Sequence, residues 1–230
     1  MTAKSNDPQL DMLLDAILPH VAFDGWSPAA FDAAVSDADI APEVARGLCP
    51  RGAVDLAIAY HKRGDAAMTA AMAEADLTDM RLRDKVAHAI RLRIRAIDDK
   101  EAVRRGSTLF ALPHMAADGA RLIWGTADAI WTAVGDTSQD GNWYSKRLTL
   151  SGVYSATVLF WLGDDSTGLQ GTDAFIDRRI DNVMQFEKLK GQMRANPLLK
   201  PFTAPMERFM SGIKAPTASP AEDLPGMWRD

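Results

Sequence analysis

The sequence predicts an all-α protein, and two observations carry that prediction. Ala and Met are prominent while runs of β-branched residues are nearly absent, a composition that favours helices. Apolar residues also return at three- and four-residue steps, the period of a helix that buries one face. The first such stretch, residues 9–22, places Leu10, Leu13, Leu14, Ile17, Leu18 and Val21 on one side, and Phe23, Asp24 and Gly25 break it. Ser27-Pro28 then opens a second helix, a capping residue followed by proline at the first helical position, continued by Phe31, Ala34, Val35 and Ala38. A turn from Asp37 to Ile40 leads to a short third helix from about Pro42 to Leu48, and the three together make a helix-turn-helix outline.

Longer helices are predicted over about 51–74, 78–98, 101–110, 114–134, 142–162 and 171–194. In the second of these, Leu82, Val86, Ala89, Ile90, Ile94 and Ile97 form a core stripe. Arg91, Arg93 and Arg95 sit in the same helix, but residues two apart point roughly 200° from each other, so they make no single basic stripe. A solvated face with salt bridges to Asp84 and Asp98 is the expected arrangement. Beyond Asn196-Pro197 the pattern changes. Leu198, Leu199, Phe202, Met206, Phe209, Met210 and Ile213 recur at helical steps, but Pro201 and Pro205 restrict the regular part to about 203–214. Residues 215–230, with three prolines, read as a disordered tail.

The chain's 230 residues suffice for one large or two small domains. A formal net charge of −5 argues against a protein that coats nucleic acid, because phosphate binding calls for an excess of Lys and Arg. The single cysteine, Cys49, excludes an intramolecular disulfide and suits a reducing compartment. The first residues, MTAKSNDPQLDM, have neither a signal-peptide apolar core nor an Arg-rich presequence, so a cytoplasmic location is expected. No apolar run approaches the roughly 20 residues of a spanning helix, which leaves a soluble protein or one peripheral to a membrane.

Tests for chemistry return little. Di-iron bundles need Glu-x-x-His pairs, and none occurs. Asp84 with His88 is read as the one i, i+4 pair of ligand type, with a surface hydrogen bond expected there rather than a metal. The stretch Gly163 to Gly168 resembles a nucleophile elbow, but its spacing is one residue too long and no strand precedes it, so it reads as a turn between helices. Walker A and GxGxxG sequences are absent. The candidate recognition helix, Ala41 to Cys49, offers Arg46 as its single cation beside Glu43, too few donors for reading DNA. No catalytic residue, metal site or cofactor is therefore predicted.

The passage Trp131 to Arg147, WTAVGDTSQDGNWYSKR, stands apart. Gly135, Asp136, Ser138, Asp140 and Gly141 are turn chemistry, and Asn142 is placed to cap the helix whose first turn carries Trp143 and Tyr144. Such loops serve recognition more often than packing, although rings that anchor the loop to the core would look the same.

Three phrases carry a family resemblance: LPHVAFDGWS from Leu18 to Ser27, the passage Asp128 to Arg147, and FIDRRIDNVM from Phe175 to Met184. In order and spacing they resemble the ubiquinone-biosynthesis accessory proteins of the CoQ-nine family, over roughly residues 10–190. The resemblance implies a TetR-type helical bundle, dimeric in its relatives, with a degenerate N-terminal helix-turn-helix and a larger C-terminal helical ligand domain. On that reading the chain divides into 1–50, a lipid-binding bundle over 51–196, an amphipathic segment over 197–214 and a tail over 215–230.

The resemblance further implies a non-catalytic protein that lifts an isoprenoid quinone precursor from the membrane and presents it to a ring-modifying hydroxylase. Shelter is needed because an isoprenoid in water costs about 0.8 kcal/mol for each exposed CH₂. Leu122, Trp124, Ile130, Val153, Val158, Leu159 and Phe160 are the expected lining. Asp128, Ile130, Trp131, Asp136, Asn142, Trp143, Tyr144 and Arg147 correspond to the family's patch for its hydroxylase partner, and exposed aromatics beside charge suit such a hot spot. The C-terminal apolar residues 198–213 correspond to a membrane-binding helix, shortened here by proline and supplied with Lys200, Arg208 and Lys214 alone, which predicts weak or reversible attachment peripheral to the inner membrane. The competing reading is a TetR-type transcriptional regulator that binds DNA and a small apolar effector.

Overall fold

The computed structural model describes residues 7–97, 99–138 and 141–195, with side chains omitted for 141 and 186–195. Over these residues the chain forms α1 (Pro8–Asp24), α2 (Pro28–Asp37), α3 (Pro42–Leu48), α4 (Ala53–Glu74), α5 (Leu82–Arg95), α6 (Lys100–Phe110), α7 (Ala116–Ala133), α8 (Gly141–Leu162) and α9 (Gln170–Ala195), with one 3₁₀ turn at Thr167–Leu169. No strand occurs among the described residues.

Local chemistry explains where the helices begin. Asp7 accepts a hydrogen bond from the Gln9 amide and precedes Pro8, and Ser27 accepts from the Ala30 amide and precedes Pro28. In both, a side-chain oxygen satisfies an amide that the first turn leaves without a partner, and proline occupies a site where no N–H is needed. Gly25 closes α1 with φ 66, a conformation that L side chains rarely adopt. Asp164 fixes the start of α9: its carboxylate accepts from the Thr172 amide and hydroxyl at 2.7 and 2.6 Å and from the Ser166 amide at 3.0 Å. These bonds hold the Asp164 carboxyl well below the usual carboxylate range. The stretch Gly163 to Gly168 is thus a helix-helix turn.

Two apolar cores lie along the molecule. Leu13, Leu14, Ile17, Val21, Trp26, Phe31 and Leu56 build the first, from α1, α2 and the start of α4. Met68, Ile90, Ile94, Ile130, Tyr154, Trp161 and Ile176 build the second, from the end of α4 with α5, α7, α8 and α9. The 22-residue α4 runs through both, so the helix-turn-helix part and the larger bundle share one spine. Leu13, Ile17, Met68, Ile90, Ile130 and Ile176 are fully enclosed.

Three sequence expectations need correction here. Arg91, Arg93 and Arg95 of α5 do not form a solvated face paired with Asp84. Arg91 pairs with Asp173 and Asp177 of α9, Arg95 pairs with Asp173, and Arg93 turns the other way into the interior, where it pairs with Asp65 of α4. The helical period separates Arg93 from its neighbours as expected, but packing against α4 and α9 supplies acceptors that neighbours in sequence cannot reveal. Asp84 is engaged by Arg81 and Arg83 rather than by His88, and Asp98 lies outside the described residues. Asn142 stands inside the first turn of α8 rather than before it, because the helix begins one residue earlier at Gly141.

Candidate functional site

Between the two cores α4, α5, α6, α7 and α8 enclose a cavity of about 470 Å³, a size that takes up a drug-sized molecule. Most of its wall is apolar: Ala57, Ile97, Val103, Phe110, Leu122, Ile123 and Val158, with Trp26 closing the side toward the first core. Its mouth lies where α6 hands over to α7 beside the end of α8, since Ala111, Ala116, Ala120 and Leu159 line it and are solvent-exposed, Leu159 at 67%.

One part of the wall is polar. His61, Arg93 and Tyr154 face it, and the last two are each 2% exposed. Arg93 Nε donates to Asp65 Oδ1 at 2.6 Å and an Nη donates to the His61 carbonyl at 2.9 Å. The Thr126 hydroxyl donates to the same Asp65 oxygen at 2.8 Å, and His61 Nε2 lies 2.8 Å from that hydroxyl. A carboxylate only accepts and a hydroxyl has one proton, so with the hydroxyl donating to Asp65 it is His61 Nε2 that donates to Thr126. The Arg93 guanidinium sits 5.7 Å from the Tyr154 ring centroid. It packs against Gly64 so closely that a Cβ there would come within 2.5 Å of Nη1.

Burial lowers the His61 pKa to about 4, against the pull of Asp65, so the imidazole is neutral at physiological pH. Because the folded value lies below the ordinary 6.5, acid protonates the unfolded chain first. Stability held above pH 6.5 should therefore fall as the pH drops toward 4, by about 1.4 kcal/mol per unit and up to about 3 kcal/mol in all. Urea titrations between pH 7 and 4.5 should show this slope, and His61→Phe should flatten it; an unchanged slope in the variant would assign the acid sensitivity elsewhere.

The seven residues expected to line a lipid shelter separate. Leu122, Val158 and Leu159 are on the cavity wall. Ile130 is fully buried in the second core, and Val153 lies in the seam between α8 and α9 with Thr149, Gly152 and Val183. Phe160 stacks on Phe175 at a centroid distance of 4.4 Å, and Trp124 joins Trp143 and Tyr144 at 5.9 and 6.3 Å. On a helix, neighbours such as Leu159 and Phe160 point about 100° apart, so one apolar run cannot supply a single wall.

The expected partner patch is knitted together by ion pairs. Asp136, with its side chain 3% exposed, accepts from Lys146 Nζ at 2.7 Å and Arg147 Nη1 at 3.2 Å. Arg147 also donates to Asp128 Oδ1 at 2.5 Å and to the Trp143 carbonyl, and its guanidinium lies 3.9 Å from the Trp143 ring centroid. Burial would raise the Asp136 carboxyl, but hydrogen bonds from Lys146, Ser138 and Arg147 outweigh it and hold the group below its usual range. Lys146 rests over the Trp131 ring at 5.1 Å, and Trp143 meets Tyr144 edge to face at 4.8 Å. Asn142 is exposed, whereas Trp131, Trp143 and Tyr144 are half-buried, which corrects the expectation of exposed aromatics. Ile130 and Arg147 are inside the molecule.

The residues expected to bind a membrane, Leu198, Leu199, Phe202, Met206, Phe209, Met210 and Ile213, lie outside the described residues. No helix among the described residues is long and apolar enough to cross a membrane. On the helix-turn-helix surface, α3 exposes Glu43, Val44 and Arg46.

The polar floor escaped the sequence reading, which took Asp84 with His88 as the one i, i+4 pair. His61 and Asp65 form a second, and it is the pair that the fold buries. The signal was its position, in a stretch whose neighbours are mostly Ala, Met and Gly.

A helix-turn-helix joined by a long spine to a bundle around an apolar chamber defines the class of fold: all-α and TetR-type. The backbone is similar to a TetR transcriptional regulator from Nitrosomonas europaea, with a TM-score of 0.63 at 19% identity over 76% of this chain and 97% of that one, a likeness of fold alone. Residues 116–187 match the COQ9 family model. The chain is 32% identical over 123 residues to the ubiquinone biosynthesis protein COQ9, mitochondrial, of Bos taurus, a match covering 54% of this chain and 38% of that protein. It is 27% identical over 190 residues to the probable ubiquinone biosynthesis protein coq9, mitochondrial, of Dictyostelium discoideum, covering 79% of this chain and 61% of that one. The matched stretches thus span less than two thirds of these relatives' own length.

Proposed function

We propose that this chain is a non-catalytic accessory protein of ubiquinone biosynthesis that binds an isoprenoid quinone precursor and presents it to a ring-modifying hydroxylase at a membrane surface. The observation that carries the reading is the mainly apolar chamber of about 470 Å³ in a chain whose residues 116–187 match COQ9. Such a chamber removes prenyl CH₂ groups from water, the dominant cost of moving the molecule between membrane and enzyme. Most of a long polyprenyl chain would extend beyond it, toward the membrane that the segment 198–213 would touch. Attachment is peripheral and the working unit a homodimer on this reading.

Native mass spectrometry of the purified protein should detect co-purified isoprenoid or phospholipid. Protein that is consistently empty and does not co-sediment with liposomes would overturn the proposal, and a specific gel shift on the protein's own upstream DNA would favour a regulator instead. Replacing Trp143 and Tyr144 together with Ala should weaken hydroxylase binding at least tenfold while lipid occupancy persists. Unfolding of that variant would instead make the two rings packing residues of the loop.

A further inference from the structure

The corner between α6 and α7 is exposed, uncharged and set at the mouth of the chamber. Residues 106–117 contain no Asp, Glu, Lys or Arg in a chain that is 25% charged, and Ala111, Leu112, Pro113, His114, Ala116 and Ala117 are all solvent-exposed. Leu159 of α8, also exposed, lines the mouth with them. Arginines bracket the stretch: Arg104 and Arg105 before it share the carboxylate of Glu101, and Arg121 after it shares Asp118 with Arg51. An apolar surface rimmed by cations matches the face of a bilayer, whose acyl boundary lies beneath a layer of phosphates. A protein partner fits less well, since a stable interface takes about 800 Å² from each side and Leu112 is the one large apolar side chain that residues 106–117 expose.

The C-terminal segment alone does not set which face meets a membrane. α9 starts beside the end of α8 and runs back along it, with Val183 in the seam beside Thr149 and Val153, so its 26 residues end about 39 Å along from the mouth, just before the segment 198–213. A single anchor at that distance leaves the mouth free to face any direction. We infer that the α6–α7 corner is a second membrane contact, seated among the lipid head groups with Leu112 and Leu159 at the acyl boundary, so that the chamber opens into the bilayer. An apolar chain then passes between membrane and chamber without crossing water. The inference rests on the lipid-carrier reading and specifies which face of the protein meets the membrane.

The test binds the full chain to vesicles of phosphatidylcholine and phosphatidylglycerol and reads the corner directly. An environment-sensitive fluorophore on Ala117→Cys should shift to the blue when vesicles are added and be quenched by nitroxide-labelled lipid. The same fluorophore on Thr137→Cys, exposed past the far end of α7, should do neither. Cys49 is buried, which leaves the label to the introduced thiol. Leu112→Glu with Ala117→Glu should weaken vesicle affinity about tenfold. Neither residue lines the chamber, so co-purified lipid should persist in that variant. Vesicle-bound protein whose Ala117→Cys label is neither shifted nor quenched overturns the inference, assigns the corner to a protein partner and leaves the carrier reading standing. Equal quenching at both labelled positions, or unchanged affinity of the double variant, overturns it too. A full chain that binds no vesicles overturns it as well, and the carrier reading falls with it where the purified protein is also empty of lipid.

Discussion

Asp65→Ala should cost about 3–5 kcal/mol of folding stability, the range for removing one partner of a buried ion pair. The loss comes from what remains behind. Arg93 keeps its charge at 2% exposure and retains a single bond to the His61 carbonyl. The Thr126 hydroxyl loses its carboxylate acceptor in the same step. In a chain of this size that loss lowers Tm by on the order of 10 °C. The double variant Asp65→Leu with Arg93→Met separates the pair from the site. With both charges gone no uncompensated ion is buried, and most of the stability should return. Urea denaturation midpoints check both; a double variant as unstable as Asp65→Ala would show that the cost lies in the shape of the floor and not in its charge.

Asp136→Ala should cost about 3 kcal/mol, the lower end of the same range, because Arg147 keeps Asp128 and the Trp143 carbonyl as acceptors. Lys146, by contrast, loses the carboxylate 2.7 Å away and retains the Ser138 hydroxyl at the same distance. The damage should be local, since Asp136, Ser138, Lys146 and Arg147 tie the α7–α8 loop to the first turns of α8. Hydrogen exchange should quicken at the start of α8 while α1 and α4 keep their protection. Asp136→Asn, which keeps the shape and some hydrogen bonds, should cost less. A loss under about 1 kcal/mol in Asp136→Ala would mean that the pairs are solvated and contribute as little as surface salt bridges do.

These two residues mark the limit of what the sequence reveals. Asp136 is conspicuous within Trp131 to Arg147, yet its neighbours along the chain suggest an exposed recognition loop. The fold instead buries its carboxylate beneath Lys146 and Arg147, so the charges of the passage hold the loop together and leave Trp143 and Tyr144 half-covered beside it. Asp65 and His61 draw no notice in the sequence, because their partners lie far off: Arg93 is 28 residues from Asp65, and Thr126 is 65 from His61.

What the sequence determined by itself is the order and nature of the helices, nearly to their ends, and the resemblance that points to a TetR-type bundle. Those features rest on interactions a few residues long: Asp7 and Ser27 capping amides two and three positions on, Gly25 adopting a positive φ, and apolar side chains returning each turn. The tertiary structure decided which face of each helix meets which. That choice turned Arg93 inward against Asp65 while Arg91 and Arg95 went to α9. It also sent Leu159 to the cavity while Phe160 went to Phe175, and brought His61 beside Thr126. The helical period says that side chains on one element diverge, but which of them converge across elements depends on the packing of all of them together, and the polar floor of the chamber exists only there.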